Sequence, residues 1–304
     1  TYRLWGRLLY NPNADADSWG RFLRAQFGRA ARDCEAALAQ ASRVLPLVTT
    51  AHLPSASNNS YWPEIYSNLP IVGGRFAAVN AIDPGLFSSI NEFADELVKG
   101  PRSGKYSPLE VAHWLETLAA GVEAHLAKAR SLIAPPGDSA FRRLAIDVSI
   151  QSGIGSFFAQ KLRAGVAYAL YERLKARPVL ARAMSYYRAA RDTWEKLVST
   201  TGSAYQNDLT YGRTPPLRGH WADRLPEIEE DLAALEKKWR EEPATTAPAE
   251  REEPAAALLA TALAAAATPA PRPRCKHLPP ASFRRGEPVV IGLAIEAGYH
   301  VTRV

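Results

Sequence analysis

Two irregular stretches hold the residues of this sequence that could do chemistry. Between 49 and 75 the helical period lapses, and His52, Asn58, Asn59, Tyr61, Trp62 and Glu64 fall in a long polar loop. Between 199 and 221 it lapses again around Tyr205, Asp208, Tyr211, Arg213, His220 and Trp221. Long irregular loops in a compact domain tend to carry function. Sugar binding needs this mixture, because aromatic rings stack on CH-rich sugar faces while amides and carboxylates take the hydroxyls. Asn58, Asn59, Tyr61, Trp62, Glu64 and Tyr211 are therefore the candidate substrate-binding residues. The same composition also suits an ordered loop whose asparagines cap turns and whose Trp62 fills the core. Glycosidic hydrolysis requires two carboxylates about 5 Å or about 6.5–9.5 Å apart. Glu64 and Asp208 are the local candidates, with a substrate hydrogen bond or a helix cap as the competing role for each.

A third feature is the run Arg3-Leu4-Trp5-Gly6-Arg7-Leu8-Leu9-Tyr10-Asn11-Pro12. Arg3 and Arg7 could hold a uronate carboxylate in bidentate geometry. They could equally anchor carboxylates on a neighbouring domain, and the large side chains of Trp5 and Tyr10 favour that domain-interface reading. Other chemistries fail on spacing. His52, His113, His125 and His220 form no HExxH pattern, and His113 and His125 lie twelve residues apart on one predicted helix, too far to share an ion. Gly153-Ile154-Gly155 lacks a third glycine and a preceding strand, so no dinucleotide site is expected. Ser152 and Ser156 sit in no nucleophile elbow. Neither a metal nor a cofactor is expected.

Composition narrows the class further. The 304 residues are 47% hydrophobic and 22% charged, the balance of a soluble globular chain with a substantial core. A net charge of +6 without a basic block interleaved with aromatics gives no reason to expect nucleic acid as a partner. No run reaches the ~20 apolar residues that span a bilayer, so no membrane segment is expected. Cys34 and Cys275 cannot make a disulfide framework or a structural zinc site by themselves. Compartment stays open between cytoplasm and a secreted or periplasmic location.

The elements that must position these residues are helices. Apolar stripes at helical spacing run through Trp19–Phe27, Cys34–Leu45, Leu86–Leu97, Val111–Ile133, Phe158–Leu174, Met184–Leu197 and Ile228–Trp239. Ser107-Pro108-Leu109-Glu110 is a capping box with proline at the first helical position. Asp83-Pro84 predicts another helix start. Gly153, Gly155 and Gly165, inside one long helix over about 139–177, predict close helix approach or a kink. After 242 the composition turns to proline, alanine, threonine and glutamate, a linker with at most one frayed alanine helix. Alternation returns at Val289, Ile291, Leu293 and Ile295, and so few strands cannot fold alone. The expectation is a mainly α, bundle-like fold. Its parts are a junction segment at 1–12 following a missing upstream domain, a helical domain at 13–242, a Pro/Ala-rich linker at 243–284, and the first strands of a truncated β-sandwich-like domain at 285–304. Aromatic helices at such a junction would also allow a homodimer.

Gly6-Arg7-Leu8-Leu9-Tyr10-Asn11-Pro12, followed by an acidic cap and a helix ending Gln26-Phe27-Gly28, resembles a motif of the family 67 α-glucuronidases. In those glycoside hydrolases it follows the catalytic barrel and opens the C-terminal helical domain. The segments around Tyr61-Trp62-Pro63-Glu64, Lys105–Glu110 and Gly219–Arg224 also look like helical regions of bacterial proteins related to such (β/α)8 hydrolases. The strand-rich tail departs from that layout and suits a larger hydrolase of barrel, helical region and β-sandwich. The resemblance implies an accessory helical region beside a barrel whose loops carry the catalytic carboxylates, with a carbohydrate, in one case uronic acid-containing, as substrate. On that reading this chain by itself is not catalytic. A structural or oligomerising helical module is the alternative.

Overall fold

The computed structural model describes residues 2–15, 17–52, 69–100, 103–134, 138–202, 204–209, 218–242, 249–268, 275–290 and 292–295. The helices are α1 (Tyr2–Tyr10), α2 (Asp17–Phe27), α3 (Ala31–Ala41), α4 (Val44–Ala51), α5 (Ile90–Lys99), α6 (Pro108–Leu132), α7 (Ser139–Leu174), α8 (Arg177–Thr201), α9 (Leu225–Glu241) and α10 (Ala249–Ala267). Two short strands follow, β1 (Cys275–Leu278) and β2 (Gly292–Ile295). The fold is mainly α, as the periodicity predicts.

The 36-residue α7 is the axis of the fold. A helix that is apolar all round must be buried all round, and α7 carries Ile150, Ile154, Phe157, Phe158, Leu162, Val166 and Leu170 into the core on successive faces. It packs on α6 and α8 and also meets α3, α4, α5 and α10. Gly165 allows the close approach its sequence context predicts: a Cβ there would stand 2.9 Å from Ile90 Cδ1 and 3.1 Å from Phe76 Cδ1. A smaller cluster lies at one end, where Phe27, Cys34 and Ala37 meet Val122, Leu126 and Phe141. There the Asp33 carboxylate on α3 takes His125 Nδ1 at 3.0 Å and Lys128 Nζ at 3.4 Å, which accounts structurally for one of the histidines.

The capping box at α6 forms in full: Glu110 N donates to Ser107 Oγ at 3.2 Å, and Ser107 N donates to Glu110 Oε2 at 2.8 Å. Ser107→Ala should therefore lower stability by about 1 kcal/mol, read as a shift in the urea midpoint with an unchanged slope. An unmoved midpoint would mean that solvent caps α6 equally well.

Several expectations need correction. Asp83 caps a turn rather than a helix, its Oδ1 accepting from Gly85 N at 2.9 Å and Leu86 N at 3.2 Å. A parallel bridge between Phe87 and Tyr106 then keeps the chain extended, and α5 starts only after the Ser89 cap. The stripe over Cys34–Leu45 is shared by two helices, α3 and α4, and Pro46 falls in the first turn of α4, where its missing N–H has no intrahelical partner to lose. On α3 the buried face is Cys34, Ala37 and Ala41, leaving Leu38 exposed.

The largest departure is in the expected linker. Its alanine run forms the 19-residue α10, which docks on α6, α7 and α8. Ala255, Leu259 and Ala262, spaced by four and three, make its buried stripe. High helix propensity combined with that stripe outweighs the proline-rich surroundings. Farther on, β1 falls inside the same expected linker and pairs antiparallel with β2, Cys275 opposite Ile295 and Leu278 opposite Gly292. Val289 and Val290 precede the second strand and are exposed. No described helix is long and apolar enough to cross a membrane.

Candidate functional site

The described parts of the two irregular stretches meet around the first half of α9. From one side comes the turn after residue 69, where Ile71 N and Val72 N donate to the Asp231 carboxylate at 2.8 and 3.3 Å. From the other comes a 3₁₀ turn, Trp221–Arg224, capped by His220 and leading directly into α9. Trp194 on α8 holds this turn by donating its Nε1–H to the Trp221 carbonyl at 2.9 Å. Tyr205 packs edge-on to Trp221 with ring centroids 5.1 Å apart. The backbone closes across 209–219 through Leu209 N donating to Gly219 O at 2.9 Å.

Between these two arms lies Lys161 of α7, almost entirely buried. Its Nζ stands 4.7 Å from the Phe76 ring centroid, 5.6 Å from Tyr187 and 5.7 Å from Phe157, within cation–π range of all three. Loss of solvation pushes its ammonium down to about 7, against the pull of Asp231 and Glu227, which favour the charged form. His52, at the end of α4, lies against Phe76 with centroids 4.3 Å apart. Burial first, and the Lys161 charge second, push its imidazole down to about 3, so it is neutral at physiological pH. Four buried polar atoms in this region have no hydrogen-bond partner among the described residues: His52 Nε2, His220 Nε2, Trp221 Nε1 and Arg224 Nε. His220 Nδ1 accepts from Ala222 N at 3.2 Å, which assigns the His220 proton to Nε2 and makes that atom a donor.

Chemically this is a polar core that pins two loops. Asp231 and Glu227 lie four apart on one helix, the right order of separation for a carboxylate pair. Asp231, however, is committed to two backbone amides, and Lys161 fills the space between them and the aromatic wall. Asp208 sits outside it, half-exposed and paired with Arg218 at 2.6 Å. That ion pair straddles residues 210–217. Of the other sequence-derived candidates, Asn58, Asn59, Tyr61, Trp62, Glu64 and Tyr211 lie outside the described residues, as does the side chain of Arg3. Trp5 and Tyr10 lie on α1 and are 59% and 93% exposed, with Arg7 exposed beside them. The described contacts thus tie the turn at 71–72 to α9, into which the turn at 221–224 leads, and leave the outer face of α1 open. No group of histidine, cysteine and carboxylate side chains suited to a metal ion occurs among the described residues.

Sequence reasoning missed Lys161 and Asp231. Both could have been found as charges on apolar stripes: Lys161 follows Phe157 by four, and Asp231 lies between Ile228 and Leu235 on the buried face of α9. A charge at such a position is either paired or functional.

The helical body has a solved counterpart. It is similar to a structure described as a GH138 enzyme targeting pectin rhamnogalacturonan II, with a TM-score of 0.66 and 15% sequence identity. The match covers 79% of this chain and 37% of that enzyme, so the chain spans little more than a third of its length. At this identity the likeness is one of fold. No family model and no curated protein matches.

Proposed function

We propose that this chain is an accessory helical region of a carbohydrate-active glycoside hydrolase, α-glucuronidase-like in the sense of its opening motif. In this reading it packs on a catalytic barrel outside this sequence, and the segments at 53–68 and 210–217 contribute contacts at the substrate rim. The supporting observation is the fold shared with a little over a third of a pectin-directed enzyme, which leaves most of such a protein to carry the catalytic carboxylates. The open face of α1 fits the same reading. Trp5, Leu8, Leu9 and Tyr10 are all exposed on a nine-residue helix, and clustered exposed apolar side chains mark interaction surfaces. Arg3 and Arg7 then serve as interface anchors, and the substrate is a carbohydrate, with uronic acid-containing chains first to be tested.

The test uses the longest natural protein containing this chain. The expected result is that it cleaves acidic oligosaccharides while the 304-residue chain alone does not. Trp5→Ser with Leu9→Ser should split the single thermal transition of the longer protein into two. One unchanged transition in that variant would remove α1 from the interface, and hydrolysis by the isolated chain would overturn the accessory role. The exposed face of α1 also supports a second reading, a self-associating helical module. Sedimentation of the isolated chain distinguishes it: a dimer dissolved by the same two substitutions favours self-association.

A further inference from the structure

A cleft of about 400 Å³ opens beside the smaller cluster of Phe27 and Phe141, where the end of α6, the start of α7 and the end of α8 meet. Ile133, Phe141, Ala145 and Ile146 form its apolar wall. Arg130 and Arg142 line it from two different helices, and neither side chain enters an ion pair or hydrogen bond among the described residues. Other arginines between the helices are tied down, as Arg163 is to Glu116 and Arg173 to Asp95. Helix electrostatics does not explain Arg142, which stands near the start of α7, where the helix dipole disfavours a cation. One carboxylate, Asp138, belongs to the lining, and its Oδ1 is engaged in capping α7 through Phe141 N at 2.6 Å. Two hydroxyls complete the set. Thr200 Oγ1 donates to Lys196 O at 2.9 Å and so faces a ligand only as an acceptor, while the half-buried Ser149 has no such commitment.

We infer that this cleft binds a small organic carboxylate with an apolar body, with the two guanidinium groups on the carboxylate and the apolar wall on the body. The charge balance of the lining, two cations against one anion, selects an anion. A planar fork is the side chain best shaped for a carboxylate. The wall of Phe141, Ile133 and Ile146 provides apolar area that an inorganic ion would leave uncovered. A sugar acid and an aromatic acid share this chemistry. The inference stands independently of the hydrolase reading, since it concerns a cleft built wholly from described residues of this chain.

Calorimetric titration of the whole 304-residue chain at low ionic strength, with D-glucuronate, benzoate and glucose as probes, tests it. Saturable binding of at least one carboxylate is expected, and none of glucose. Tighter glucuronate identifies a sugar acid as the source, and tighter benzoate an aromatic acid. Arg130→Gln and Arg142→Gln should each weaken binding at least about tenfold. Both side chains are exposed and unpartnered among the described residues, so the melting temperature should not move. In the unmodified chain, the added carboxylate should shift the amide resonances of Ser149 and Thr200 and leave those of α1 in place. Absence of saturable carboxylate binding up to about 50 mM, parent-like affinity in the double variant, or resonance shifts confined to other regions would each overturn the assignment.

Discussion

Replacing Asp231 with alanine is expected to lower the unfolding free energy by about 3–5 kcal/mol, the range for breaking a buried charged contact from one side. The size follows from what is left behind. Ile71 N, buried, and Val72 N, part-buried, lose their acceptor, and Lys161 loses one of the two negative charges that favour its ammonium. Asp231→Asn keeps one oxygen for Ile71 N–H but removes the charge and turns an NH2 donor towards Val72 N–H, so its expected loss is smaller than that of alanine, about 1–3 kcal/mol. Equilibrium urea unfolding followed by circular dichroism at pH 7 measures both. A loss below about 1 kcal/mol in the alanine variant would mean that the turn at 71–72 is held by other contacts. The ordering of the two variants matters as much as their size, because it isolates the contact at Ile71, which asparagine retains and alanine does not. If Asn proves as damaging as Ala, the charge facing Lys161 and the contact at Val72 together outweigh the one at Ile71.

The same two residues show why some of this fold could be read from the sequence and some could not. Helices that obey a period are legible: the Ser107–Glu110 box starts α6 where the sequence places it, and the apolar stripe Met184, Tyr187, Trp194 and Leu197 is the buried face of α8. Legibility fails where a long-range contact decides the outcome. Asp83-Pro84 has the local chemistry of a helix start, but the pairing of Phe87 with Tyr106, nineteen residues away by sequence, holds the chain extended and defers α5. α10 is an alanine run whose propensity is plain but whose docking depends on α6 and α8 offering a groove to Ala255, Leu259 and Ala262. Lys161 is harder still. Its spacing from Phe157 marks it as a charge on an apolar stripe, but the groups that enclose it, Phe76, Tyr187 and α9, come from distant parts of the chain. The opening segment follows the same rule. Its residue types suggest an interface, but the helical conformation of α1 and the exposure of Trp5 and Tyr10 became visible only in three dimensions.

That enclosure has a measurable consequence in the pH dependence of stability. His52 is held at about 3 in the fold against about 6.5 when unfolded. Above pH 6.5 both states carry a neutral imidazole and His52 contributes no pH dependence. As pH falls from 6.5 towards 3, the unfolded chain takes up a proton that the folded chain refuses, so stability falls by up to about 1.4 kcal/mol per pH unit. Between about pH 6 and 4.5 few carboxylates titrate in either state, which makes this window diagnostic. His52→Gln, which does not titrate, should flatten the slope there by nearly one proton. Lys161 acts with the same sign at higher pH. Its folded value of about 7 lies below the roughly 10.5 of an unfolded lysine, so the unfolded state binds the extra proton and stability should rise from about pH 7 to 9. Cys34 bounds that window from above, because burial lifts its thiol to about 11 and its contribution declines once an unfolded cysteine ionises near 9. Urea midpoints measured at half-unit steps from about pH 4.5 to 9 should therefore climb in two stages. Lys161→Met should abolish the upper stage and leave the lower one. A wild-type profile flat on both sides of about pH 7 would show that water or a local rearrangement solvates Lys161 and His52 in the folded chain.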